Sequence, residues 1–211
     1  LLVCERRFGE ALRQYRRTIE LSSTQPKEAA QQCQAMVKGV VGEMMCEGES
    51  AIRLLSESAG DKSAMHPVNV TIVSLLLGKA MGLSVQELED LGTAAFLHDI
   101  GKIMLPDRVR WYEDNFSSAE YKLYQDHVSH SLKLAKAMEL SAPTLLAIAQ
   151  HHEMADGSGF PLKIRGEVQS PIARILALVN RYDNLCNPSR AAAALTPHES
   201  LSLIFAQLKA R

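Results

Sequence analysis

Aromatic residues make up only 5% of this 211-residue chain, and a single tryptophan is among them. Alanine, leucine, methionine, glutamate, glutamine and lysine are plentiful instead, a balance that favours helix over sheet. No charge of one sign dominates: 23 Lys and Arg stand against 24 Asp and Glu, mixed along the chain. Without a basic stripe, tracking along DNA or RNA is not expected. A small anionic ligand remains compatible, because a bound metal supplies positive charge that residue counting misses. The four cysteines, Cys4, Cys33, Cys46 and Cys186, form no Cys-x-x-Cys pair and read as reduced, mostly packed thiols. No apolar run approaches the ~18 to 20 residues a membrane span requires, and no signal sequence is evident. The sequence therefore reads as a soluble cytoplasmic piece with no membrane contact of its own. It begins at Leu1 without methionine and stops at Arg211 within a helical pattern, as expected of part of a longer protein.

What is present is helical periodicity. Leu1, Cys4, Phe8, Leu12, Tyr15 and Ile19 recur every three or four residues and predict an amphipathic helix to about residue 21. Pro26 closes the following break. A second helix is expected from Lys27 to Glu57, with Met36, Val37, Val40, Val41, Met44, Met45, Ile52 and Leu55 on its apolar side. Residues 1–59 thus read as an N-terminal helical extension, flanking a core or acting as a connector that carries a signal or a dimer contact.

Gly60-Asp61-Lys62 marks a break before residues 60–211, the expected second unit. A helix carries His66 near its start and ends at Gly82. Ser84 with Glu87 forms a capping-box pattern for the next, which has Leu88, Leu91, Ala94, Ala95 and Leu97 along one side and delivers His98-Asp99 at its end. Gly101 is expected to take a left-handed turn there. A loop through Trp111 precedes a helix capped by Ser117 and Glu120, on which His127 and His130 share a face. Ser141 opens a helix ending at His151-His152-Glu153, before the glycine-rich run Gly157, Ser158, Gly159, Phe160 and Pro161. Ser170-Pro171 starts a helix with Ile172, Ile175, Leu176, Leu178 and Val179 that is expected to expose Asn180 and Asp183. Thr196-Pro197-His198-Glu199 starts the last, with Leu201, Leu203, Ile204 and Leu208. No strand pattern appears, so the fold class is all-α.

Six of the seven histidines are His66, His98, His127, His130, His151 and His152. A lone buried histidine is more often a hydrogen-bonded core residue than a ligand. Several helix ends that each present one, with a carboxylate beside His98, suit Fe, Mn, Zn or Co held in a helical bundle. The lack of cysteine in the set argues against a thiolate zinc knot.

The order His66, His98-Asp99-Ile100-Gly101-Lys102, His127, His151-His152-Glu153 and Asp156-Gly157-Ser158-Gly159-Phe160-Pro161 resembles the HD-GYP domain over about residues 60–205. The resemblance implies an HD-domain helical bundle that hydrolyses cyclic di-GMP to linear pGpG and on to GMP. It implies His66, His98, Asp99, His127, His151 and His152 as ligands of two divalent transition-metal ions, Fe or Mn ahead of Zn, Co or Ni, with Asp99 bridging. Two such ions, roughly 3.5 to 4 Å apart, activate water for in-line attack on phosphorus. Lys102 would hold a phosphate oxygen, and the 157–161 loop would shape the substrate mouth, with Phe160 where the family has tyrosine. His130 and His198 have no counterpart among the family's ligands and read as structural or surface residues.

Three positions depart from the pattern. The closing metal aspartate is replaced by Asn180, whose amide oxygen is a weaker donor; Asp183 one turn on is a substitute ligand, an orienting partner or a substrate contact. Lys62 stands where some members have a glutamate for a third metal, which limits the expectation to two. Arg190 is the cation left in the segment that clamps phosphate in relatives. A degenerate module that binds nucleotide or protein without turnover, and an HD phosphohydrolase for another phosphate ester, are the alternatives. A GGDEF-type or other signalling protein and a homodimer through the N-terminal helices are the expected partners.

Overall fold

The computed structural model describes residues 2–46, 62–111, 116–188 and 194–209. These form α1 (Leu2–Ser22), α2 (Pro26–Cys46), α3 (Lys62–Ala80), α4 (Val85–Leu97), a 3-10 helix (Ile100–Met104), α5 (Ser118–Ala137), α6 (Ala142–Gln150), α7 (Pro171–Cys186) and α8 (Pro197–Lys209). The only β-type pairing among the described residues is an isolated bridge between Asp156 and Arg165, so the fold is all-α as expected.

Helix starts follow local chemistry. Ser84 accepts from the Glu87 N–H while Glu87 accepts from the Ser84 N–H, and Ser117 with Glu120 repeats the arrangement. Each satisfies two backbone donors that a helix start otherwise leaves open. Ser170 holds the corresponding place before α7 without a side-chain cap; its N–H donates to Gln150 Oε1 at 2.9 Å. Lys62, expected in a break, is already the first residue of α3, and the remainder of that break lies outside the described residues.

α4 is the axis of the bundle. Every residue from Asp90 to Leu97 is buried, so the one-sided stripe expected of it is a helix covered all round, by α2, α3, α6 and α7. The one charge there, Asp90, accepts from the hydroxyls of Ser141 (2.6 Å) and Thr144 (3.1 Å) at the start of α6. α1 and α2 pack against this same core: Phe8, Tyr15, Cys33 and Val37 join one buried cluster with Leu75, Phe96 and Leu176. Burial pushes the Cys33 thiol up, as for a packed, protonated side chain. The boundary expected at residues 59 and 60 lies outside the described residues, as do Ile52 and Leu55.

Three expectations are corrected. Gly101 does not adopt a left-handed conformation; it lies within the 3-10 helix, and positive φ among glycines occurs at Gly82 and Gly157. Its role is close approach: a Cβ there would sit 2.3 Å from His127 O and 2.3 Å from Ser131 N. Asn180 and Asp183 are buried rather than exposed, because both hydrogen-bond inside the histidine cluster. Finally, Leu201 and Leu203 do not face the core; α8 meets α7 through the strip containing Ser200 and Ile204. No helix is long and apolar enough to cross a membrane among the described residues.

Candidate metal centre

The centre is built around Asp99, 4% exposed, where α4 gives way to the 3-10 helix. Its two oxygens face different histidines. Oδ1 lies 3.4 Å from His127 Nε2 and 3.7 Å from His151 Nε2. Oδ2 lies 3.4 Å from His98 Nε2 and 3.6 Å from His66 Nε2. Two donor groups result, Asp99-His127-His151-His152 and His66-His98-Asp99, each with donor atoms within 4.8 Å of one another.

Helix geometry aims the rings. His98, His127 and His151 each turn Nδ1 toward the carbonyl three residues earlier, Ala95, Tyr124 and Ile148. A carbonyl only accepts, so Nδ1 carries the proton and Nε2 presents a lone pair. Burial pushes His127 down to about 3 and lowers His151 and His152 as well, which keeps these rings neutral. Burial alone would raise the Asp99 carboxyl, but the Lys102 ammonium holds it well below the usual range. The Lys102 ammonium lies 2.6 Å from Asp99 Oδ2, and that carboxylate more than offsets burial and holds the lysine charged.

The donor set fits divalent metal on an observation of its own. His98 Nε2, Asp99 Oδ1 and His151 Nε2 are buried with no hydrogen-bond partner. Such groups cost free energy unless something pairs with them, and one cation at each donor group, the first against Asp99 Oδ1 and His151 Nε2 and the second against His98 Nε2, would satisfy all three. His152 Nε2 lies 3.1 Å from His127 Nε2, convergence expected of two ligands of one ion.

The second group is shaped by α7. His66 Nδ1 is 2.6 Å from Asp183 Oδ2, and Asp183 Oδ1 accepts from Asn69 (3.3 Å) and Asn187 (2.9 Å). Asp183 therefore sits against His66 Nδ1, the place of an orienting carboxylate, which is one of the roles its sequence position left open. Asn180 Oδ1 lies 3.0 Å from His66 Nε2, in reach of the same centre. Asp183→Asn is expected to weaken metal affinity about 10- to 100-fold with little change in helicity, as loss of a ligand's supporting carboxylate does. Calorimetric metal titration checks this, and an unchanged affinity would remove Asp183 from the site.

The glycine-rich loop supports His152. A Cβ on Gly159 would meet His152 O and Met154 N at 2.4 Å, so glycine permits the loop to lie on that backbone. Phe160 stacks on the His152 ring with centroids 4.4 Å apart and an interplanar angle of 17°. Ser158 turns inward to Asp156 through its N–H and hydroxyl, Gly157 takes φ +80, and the Phe160–Pro161 bond is cis. Buried Glu153, to which the sequence assigned no role, accepts the N–H groups of Leu162, Lys163 and Ile164 and ties the loop down. Tyr124 also went unnoticed: its buried ring lies 5.5 Å from Lys102 Nζ and 4.7 Å from the His127 ring. Its hydroxyl is pushed up to about 12 by burial. A tyrosine three residues before a histidine on one helix was the signal available for it. His130 and exposed His198 fall in neither donor group. Arg190 and the side chain of Lys62 lie outside the described residues.

A family model described as "HD domain" matches residues 49–210. Among curated proteins, the cyclic di-GMP phosphodiesterase response regulator RpfG of Xanthomonas campestris is 31% identical over 64% of this chain and 36% of its own. The 3'3'-cGAMP-specific phosphodiesterase 2 of Vibrio cholerae is 27% identical over 61% of this chain and 25% of its own. This chain thus spans about a third or less of the length of those relatives. Among solved structures, Bd1817, an HDG"Y"P protein from Bdellovibrio bacteriovorus, superposes with a TM-score of 0.81 over 97% of this chain and 65% of its own, at 19% identity. With its helices, its His98-Asp99 pair and the matched residues in agreement, the chain belongs to the HD-domain family.

Proposed function

We propose that this domain is an HD-GYP-type phosphodiesterase that opens cyclic di-GMP to linear pGpG and then GMP, acting in the cytoplasm. The observation that carries this reading is the divided Asp99 carboxylate, one oxygen toward His127 and His151 and the other toward His66 and His98. In it, His127, His151, His152 and Asp99 hold one divalent ion, and His66, His98, Asp99 and Asn180 hold a second. The pair, Fe or Mn by preference, would supply Lewis-acid charge and an activated water.

The protein's own groups then have defined tasks. Lys102 releases Asp99 Oδ2 and carries its ammonium to a non-bridging phosphate oxygen, where charge grows in the transition state. Desolvation keeps the His127, His151 and His152 imidazoles neutral, so no proton competes for their Nε2 lone pairs. Phe160 holds the His152 ring and walls off water beside it. Relatives named for cyclic di-GMP and 3'3'-cGAMP hydrolysis support the substrate class. A GGDEF-type protein supplying the dinucleotide, and pairing through α1 and α2, complete the proposal.

Chromatography of cyclic di-GMP after anaerobic loading with Fe(II) or Mn(II) tests it. Linear dinucleotide or GMP is expected with metal and not with chelator. The Asn180 amide favours a second reading, a receptor that binds nucleotide without turnover, and metal bound without product would select it. Asn180→Asp is expected to tighten the weaker metal site by about 10-fold or more, since a carboxylate is the better donor to a hard cation. Unchanged stoichiometry and affinity in that variant would show that residue 180 is no ligand.

A further inference from the structure

A cleft of about 230 Å³ opens onto the metal cluster and is lined there by His66, Asp99 and Lys102. α1 lines it through Tyr15 and Ile19, and the segment after the 3-10 helix lines it through Arg110 and Trp111. Both linings are fixed. Tyr15 packs edge-on against Phe96 of α4, centroids 5.2 Å apart at 86°. Trp111 has the Lys102 ammonium 5.5 Å from its ring centre. Arg110 Nη2 donates to Leu105 O at 3.2 Å and pairs with Asp107 at 2.8 Å, while its Nε is buried without a hydrogen-bond partner.

Flat apolar walls next to a phosphate-binding lysine suit a heteroaromatic ring whose phosphate reaches that lysine. Indole and phenol rings stack on any base. A guanidinium is selective: its parallel donors match guanine O6 and N7, both acceptors, whereas adenine presents an amino donor at that edge. Resting on the phosphodiesterase reading above, we infer that this cleft is a guanine subsite, in which Trp111 and the Tyr15-Ile19 face of α1 enclose the base and Arg110, exchanging its exposed partner Asp107 for the ligand, reads its O6/N7 edge. α1 is then a wall of the substrate cleft as well as a packing helix, and Arg110 sets preference for cyclic dinucleotides that contain guanine. Cyclic di-GMP and 3'3'-cGAMP, the compounds named for the relatives, both do.

Trp111 is the one tryptophan of the chain, so its emission reports on this cleft directly. The metal-loaded protein is mixed in stopped flow with cyclic di-GMP, 3'3'-cGAMP, cyclic di-AMP or inorganic phosphate, and emission and product are followed together. A saturable emission change is expected with the first two, about 10- to 100-fold weaker binding with cyclic di-AMP, and no change with phosphate alone. Arg110→Leu should reduce cyclic di-GMP binding to the level of cyclic di-AMP, and Ile19→Phe, which narrows the cleft, should weaken all three dinucleotides alike. Turnover of cyclic di-GMP with silent Trp111 emission overturns the subsite and leaves the phosphodiesterase reading standing, as does an intact guanine preference in Arg110→Leu. A wild-type chain that neither binds nor hydrolyses any of the three dinucleotides overturns both.

Discussion

Asp99→Ala is expected to lower metal-dependent turnover by about 10³-fold or more, because it removes the one side chain common to both donor groups. Metal analysis should show loss of at least one ion. The fold is expected to persist. Lys102 loses its 2.6 Å partner, yet its ammonium borders the cleft and can be rehydrated there, so the penalty is about 1–3 kcal/mol rather than that of a sealed charge. The variant also changes the acid limb of stability in the metal-free chain. Asp99 has a folded pKa below its ordinary value, so its contribution is fully present above about pH 4 and is lost as pH falls through the lower folded value. Melting curves of metal-free wild type should show that limb, reduced in Asp99→Ala. Full activity in the variant, measured with both metals supplied, would sink the bridging assignment.

The histidines were legible because the chain spells their supports locally. A histidine at a helix end, three residues after a free carbonyl, is held by backbone alone, and His98 and His151 both occupy such places. The capping boxes at Ser84 and Ser117 were legible for the same reason, since each involves residues three apart. What could not be read depends on elements distant in sequence. Asn180 and Asp183 look like an exposed polar strip on α7 until α3 brings His66 against them, 114 and 117 residues away. α8 carries Leu201, Leu203, Ile204 and Phe205 around more than one face, so its pattern does not say which strip meets α7; the structure buries Ile204 and leaves Phe205 58% exposed. The wall formed by Tyr15 and Ile19 was hidden likewise, because their periodicity reports a buried side of α1 and not what that side borders.

Gly101→Ala is expected to be among the most damaging small substitutions at the described residues. The added Cβ would lie 2.3 Å from His127 O, 2.3 Å from Ser131 N and 2.8 Å from His130 C, all of them backbone atoms of α5. A flexible side chain can move out of such a contact, but a helix backbone cannot, so α5 must retreat or the 3-10 helix must unwind. Either movement breaks the 2.9 Å bond from the Gly101 N–H to Ser131 Oγ and carries His127 Nε2 away from Asp99 Oδ1, now 3.4 Å distant. Overpacking against rigid atoms costs about 2–4 kcal/mol, a fall of roughly 5–15 °C in Tm for a chain this long. Metal affinity should fall with it, because the displaced ligand is the one on α5. Gly42→Ala supplies the contrast: it lies in α2 with nothing within 4 Å of the added methyl, and should stabilise by about 0.5–1 kcal/mol through helix propensity alone. Thermal melts of the two variants, with and without Mn(II), separate the effects. If Gly101→Ala melts and binds metal as wild type does, the contact between the 3-10 helix and α5 is looser than the geometry requires, and the placement of His127 rests on α5 and its Tyr124 carbonyl instead.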